Sequence, residues 1–183
     1  EIVISVFCIL ASLNFVLYHY LMTGKISYFL KDIELRAFII ILAVSIFICT
    51  IGLALQSDSG FAGALRESFF QVTSMFTTAG YARSPYTVWP SVCQMVLITV
   101  MFIGGCAAST SGGIKVIRLL VMLKLIWRGC VKRIHPRSVV AVKVGGNAIS
   151  APVVSQITVF ILMYMTIFLF SSLFMSLQGL DME

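Results

Sequence analysis

From Ala37 to Leu55 the chain carries no charged residue, and from Val153 to Leu177 the same holds again. These runs constrain the fold more than any motif does. About 20 apolar residues in a helix cross a hydrocarbon layer ~30 Å thick. A third run, Ile2 to Met22, is interrupted only by Ser5, Ser12, Asn14 and His19 and predicts a further span. Composition agrees, with 60% hydrophobic and 11% charged residues, against roughly 45–50% apolar and about 25% charged in soluble domains. The expected class is an all-α integral membrane protein.

The formal net charge is +6, yet the basic residues flank the apolar runs, so membrane orientation explains them and nucleic-acid binding does not. Segments 23–36 and 128–151 hold Lys25, Lys31, Arg36, Arg128, Lys132, Arg133, Arg137 and Lys143. The opposite side, 57–90, holds Arg66 and Arg83, offset by Asp58 and Glu67, and is joined by Asp181 and Glu183. The basic side is therefore expected in the cytoplasm. Cys8, Cys49, Cys93, Cys106 and Cys130 are scattered and form no metal-ligand spacing, so they read as small buried hydrophobes. Glu1 stands directly before an apolar run, without a basic stretch. The expectation is a piece of a longer chain with no signal peptide.

Between the second and third uncharged regions the pattern changes. Leu65, Phe69, Val72 and Phe76 fall at i, i+4, i+7 and i+11 and predict a short helix over 65–76. At ~1.5 Å per residue it covers little more than half of the hydrocarbon layer. It must dip in and return, or lie on the surface. The loop after it reads Thr77-Thr78-Ala79-Gly80-Tyr81. A bare cation in a membrane needs oxygens in place of water, and backbone carbonyls around an axis provide them. An extended loop suits that task, with threonine adding hydroxyl oxygens, glycine backbone freedom and tyrosine an anchor. The helix would aim the negative end of its dipole at the ion. Irregular backbone at membrane depth is tolerated only where it is buried in protein or lines a wet cavity, which favours a re-entrant loop over an ordinary turn.

A second irregularity follows the apolar run Val92 to Ile103. Gly104-Gly105-Cys106-Ala107-Ala108-Ser109-Thr110-Ser111-Gly112-Gly113 contains no large side chain. Close packing of small residues explains two or three such positions better than a whole run. A phosphate-binding loop is excluded, because Ile114 separates Gly113 from Lys115 and no strand precedes. Free hydroxyls and unpaired carbonyls here would attract a cation or swing aside. Lys115 and Arg118 follow the loop closely. They read either as charges at the cytoplasmic exit of an ion path or as anchors that snorkel to the inner interface, the second being preferred for Arg118.

Taken together, the motifs make the chain resemble the Trk/Ktr/HKT superfamily of potassium transporters, in particular its bacterial TrkH/TrkG branch. Phe69 to Tyr81 with Trp89-Pro90, then Gly104 to Arg118, carry the resemblance, and Ile134-His135-Pro136 with the valine-rich stretch after it adds weaker support. The resemblance implies repeated M1–P–M2 units, as in potassium channels, with four units in one chain around one pore. On that reading 1–22 is the last helix of a preceding repeat and 23–36 a cytoplasmic loop. Residues 37–127 are one complete repeat with pore helix 65–76, filter 77–81 and gating loop 104–113. Residues 128–151 are a basic cytoplasmic loop with a small β-hairpin, and 152–183 open the next repeat. Thr78, Ala79 and Gly80 match the filter segment, flanked by Thr77 and Tyr81, and would hold K+, the only metal implied. Gly80 matches the position where glycine goes with potassium and serine with sodium transport. Residues Gly104, Gly105, Ala107, Ala108, Ser109, Thr110, Ser111, Gly112 and Gly113 match the intramembrane gate. The resemblance also implies a homodimer, a cytosolic nucleotide-binding regulatory subunit as partner, residence in the bacterial inner membrane, and no cofactor in this chain.

The remaining polar residues have plainer readings. Asn14 and His19 predict helix–helix hydrogen bonding or interfacial placement. Glu67 is expected in the first turn of the short helix, and Trp89 and Trp127 in interfacial belts. The leading function is potassium uptake. A sodium-conducting relative is the alternative, with a non-transporting membrane anchor behind it. A membrane enzyme is disfavoured: His19 and His135 lie at or near membrane edges, and no acidic residue falls in mid-span.

Overall fold

The computed structural model describes residues 1–56, 60–83, 85–135, 143–145 and 147–177. Eight helices are seen among them: α1 (Ile2–Ser12), α2 (Phe15–Met22), α3 (Ile26–Lys31), α4 (Ile33–Gln56), α5 (Gly60–Phe76), α6 (Ser91–Ile103), α7 (Val116–Ile134) and α8 (Ala151–Leu177). A 3-10 turn spans Tyr86–Val88, and β1 (Lys143–Val144) pairs antiparallel with β2 (Asn147–Ala148). The chain divides into two compact units, Glu1–Ile117 and Arg118–Glu183.

In the first unit α4 packs against α5 and α6, α5 against α6, and α1 against α5. Helix α4 is long and apolar enough to cross a membrane. It begins at Ile33, ahead of its charge-free stretch, because the Asp32 carboxylate accepts the Leu35 amide at 2.8 Å and caps the first turn. Against α5 the Phe38 and Phe76 rings stack at 4.8 Å with 14° between planes, both fully buried. Against α6 the approach is close: a Cβ on Gly52 would lie 2.5 Å from Cys93 Sγ.

Ile2–Met22 is not one helix. Helices α1 and α2 meet at 92° across Leu13 and Asn14. The Asn14 side chain accepts the Val16 amide at 2.9 Å and starts α2, and it also hydrogen-bonds Glu34 on α4, the helix–helix bond its place in an apolar run suggests. An N-cap residue offers the backbone an alternative to continuing the preceding helix.

Helix α5 ends at Phe76 as expected but starts at Gly60 rather than Leu65. Gly60 and Gly63, poor helix formers, hid its first turns. Glu67 therefore sits in mid-helix, not in the first turn. At about 1.5 Å per residue α5 reaches about 25 Å, still short of a full crossing. Its buried face carries Ala64, Ser68, Gln71, Val72 and Phe76, while Leu65 is exposed. The face is thus rotated from the apolar stripe, because helices in a membrane meet through small and polar side chains as readily as through large apolar ones.

In the second unit α7 runs to Ile134, beyond the expected end at Trp127. Arg128, Lys132 and Arg133 are good helix formers, and the last two lie in the final turn, where they complement the dipole. Arg118 places its guanidinium 3.9 Å from the Phe160 ring centre on α8, and Lys124 donates to the Lys143 carbonyl. Helix α8 is the second helix long and apolar enough to cross. The expected hairpin survives as two short strands; Val140, Val142 and Gly146 lie outside the described residues, as do Pro136, Arg137, Asp58, Asp181 and Glu183. Trp127 is exposed and Trp89 is buried. All five cysteines are free; Cys49, Cys93 and Cys106 are buried, Cys8 is half-buried and Cys130 exposed.

Candidate functional site

The site is built from the end of α5 and the break between α6 and α7. Thr77 still belongs to the helix end: its amide donates to the Thr73 carbonyl at 2.9 Å, and it is buried. The turn closes at Thr78, whose amide reaches the Met75 carbonyl at 3.1 Å, while Ala79 reaches Ser74 at 2.9 Å. Paired closures of this kind place a left-handed residue between them, usually glycine. Here it is Thr78, with φ +56°. A β-branched residue in that region costs about 1–2 kcal/mol and persists only where surrounding contacts hold it. Gly80 follows with φ +75°, its amide 3.4 Å from the Ser74 carbonyl. The expected extended loop is therefore a left-handed helix end first, with Thr78 to Tyr81 exposed in this chain. Beyond it, Arg66 and Arg83 both bind Glu1 Oε2 at 2.9 Å.

The break after α6 is a looped-out excursion. The Phe102 and Ile103 carbonyls, orphaned where the helix ends, and the Gly105 carbonyl beyond it accept the amides of Ile114, Lys115 and Val116 at 3.0, 2.8 and 3.0 Å. The chain thus leaves and returns at one place. Gly104 and Gly113 form the neck, with φ +71° and +79°. A Cβ on Gly113 would lie 2.8 Å from the Gly104 Cα, and one on Gly104 would strike the Gly112 carbonyl. Within the loop Ser109 Oγ donates to the Cys106 carbonyl at 2.6 Å and lies 2.9 Å from Ser111 Oγ. Lys115 turns its ammonium back to the Ser111 carbonyl, 3.4 Å from Ser109 Oγ. Of the two expected exit charges, Lys115 therefore joins the loop, whereas Arg118 belongs to the second unit and covers Phe160.

Two further elements hold this loop. At the α1–α2 break the Ser12 carbonyl accepts the Cys106 amide at 3.0 Å, Ala11 accepts the Thr110 amide at 3.2 Å and its hydroxyl at 3.0 Å, and Phe15 donates to Ala108 at 3.1 Å. The carbonyls freed by the bend are thus satisfied by the loop. From α4, the buried Glu34 accepts the Ala107 amide at 2.6 Å and the Ile117 amide at 3.2 Å through one oxygen, Oε1.

The two halves of the site touch. The Gly112 amide donates to Thr78 Oγ1 at 2.6 Å. The expected segment Thr77–Tyr81 and the expected loop 104–113 therefore meet through a hydrogen bond. Glu34 and the α1–α2 break were not singled out from sequence. Glu34 stands beside Asp32 at the edge of an apolar run, and its partners lie 73 and 83 residues away.

The family model described as TrkH, a cation transport protein, matches residues 1–182. Among curated proteins, the Trk system potassium uptake protein TrkH of Salmonella typhimurium is 34% identical over 98% of this chain. The Trk system potassium uptake protein TrkG of Escherichia coli is 31% identical over 99%. The chain spans 38% of the length of each. The crystal structure of the potassium transporter TrkH from Vibrio parahaemolyticus superposes with a TM-score of 0.89 at 34% identity, covering 97% of this chain and 39% of that one.

Proposed function

This chain belongs to the TrkH family of cation transport proteins, and from that premise we propose that it is a pore-forming portion of a potassium uptake protein of the bacterial inner membrane. The family is one of transporters rather than enzymes. The relatives described above carry potassium in their names, which leaves the sodium-conducting alternative without support.

In this reading α4, α5 and α6–α7 are the M1, P and M2 elements of one repeat. Helices α1 and α2 close a preceding repeat, and α8 opens the next. Thr77 to Tyr81 is one strand of a selectivity filter, other strands coming from further repeats of the longer chain. K+ exchanges hydration water for backbone oxygens there. The loop 104–113 is the gate, and Lys115 helps hold its shape. The observation that carries the reading is the hydrogen bond from Gly112 to Thr78 Oγ1, which puts a polar, looped-out break directly against the segment with carbonyl-donor chemistry. The name of the Trk system supports further components as partners; a homodimer and a cytosolic nucleotide-binding subunit at the basic face complete the proposal.

Rescue of a strain without potassium uptake of its own tests it. Cells expressing the full-length protein should grow at limiting potassium and accumulate it. Membrane insertion without potassium uptake would overturn the reading.

A further inference from the structure

We infer that Glu34 is a positioning residue for the loop 104–113, and that its carboxyl group sets how readily the loop leaves its place beneath the Thr77–Tyr81 segment. The inference rests on the gating reading above.

Glu34 Oε1 bonds both ends of the excursion: Ala107 as the chain leaves, at 2.6 Å, and Ile117 where α7 has resumed, at 3.2 Å. The Ile117 amide is among the first of α7, which have no partner within their own helix. A carboxylate there gains from the dipole as well. The Asn14 side chain is a further polar neighbour of the same carboxyl. Three elements are therefore joined at one buried oxygen: α4 supplies the acid, the loop its outgoing amide, and α7 its first turn. Glu34 is not needed to cap its own helix, since Asp32 does so. Its burial is explained by the loop.

A closed loop held in this way should loosen when the acceptor is lost. Part-buried amides left without a partner raise the free energy of the held state but not of a displaced, hydrated one. Flux through the resting transporter should then rise about tenfold, the worth of roughly one hydrogen bond to a charged group. The ion preference, set elsewhere, should not change.

The test uses the full-length protein in cells or proteoliposomes and reads resting potassium flux and the potassium-to-sodium preference. Glu34→Ala should raise flux at unchanged preference, and Glu34→Gln, which keeps the acceptor oxygen but loses the charge, should raise it less. In a chain with Ala108–Ser111 excised, Glu34→Ala should add nothing, because there is no loop left to hold. If Glu34→Ala fails to reach the membrane, Glu34→Asp, one methylene shorter, reads the same effect. Unchanged or lowered flux in the Ala or Asp variant, a Gln variant that matches Ala, or an additive effect in the excised chain overturns the inference. If the excision alone leaves flux unchanged, the gating reading itself fails. If the excision raises flux and the Glu34 variants do not, only the role of Glu34 fails.

Discussion

The backbone amide of Gly112 and the hydroxyl of Thr78 form a 2.6 Å hydrogen bond between segments that lie 34 residues apart in sequence. Thr78 stands in a left-handed conformation that glycine would adopt at less cost. The hydroxyl explains why a threonine is useful there: it is the group that receives the loop. Thr78→Ser should retain the bond and transport like the parent. Thr78→Ala should remove the bond from the Gly112 amide and raise resting potassium flux about fivefold, as expected for a net bond of roughly 1 kcal/mol. Flux assays on the two variants check this.

The neck of the loop gives a stability prediction. Gly104→Ala and Gly113→Ala each impose an unfavourable φ and a backbone clash. Each should cost at least about 2 kcal/mol. Gly129→Ala, in α7 with nothing within 4 Å of the added methyl, should instead gain about 0.5–1 kcal/mol. Thermal unfolding of the full-length protein in detergent should move in opposite directions for the two kinds of glycine.

The α4–α6 contact predicts a coupled pair. Gly52→Ala drives its methyl into Cys93 Sγ, so it should lower Tm. Cys93→Ala in the same chain should recover part of the loss. A double-mutant cycle measures the coupling, and additive effects would mean that the helices are spaced differently.

The stack of Phe38 on Phe76 fixes the end of α5 to α4. Phe76→Ala should leave a cavity and cost about 3–5 kcal/mol. Phe76→Leu should cost less. Both effects are read from thermal unfolding.

What could be read from sequence follows from which physical signals are local. The charge-free runs of α4 and α8 announced themselves, and the small residues 104–113 marked the break. The first turn of α4 did not, because its cap Asp32 and its buried acid Glu34 look like loop charges. The bend after Leu13 was hidden because Asn14 is one of several polar residues scattered through an apolar run, and its cap geometry is what marks the bend. The true start of α5 was masked by two glycines. The docking of the loop onto Ala11 and Ser12 was illegible in principle, since it uses carbonyls that every residue has. The left-handed Thr78 was equally hidden, because threonine is not the residue that such a turn advertises.

If the backbone at Thr77–Tyr81 selects the ion, as proposed, Gly80 is the residue at which that selection can be broken. Gly80 has φ +75° and open space where a Cβ would stand. Gly80→Ser therefore meets no clash, and its strain, about 1 kcal/mol, falls on the backbone alone. The measurement is the potassium-to-sodium flux ratio of the full-length protein with and without Gly80→Ser, at matched membrane levels. A clear fall in potassium preference is expected in the serine variant. An unchanged ratio would contradict that proposal and remove this segment from the filter.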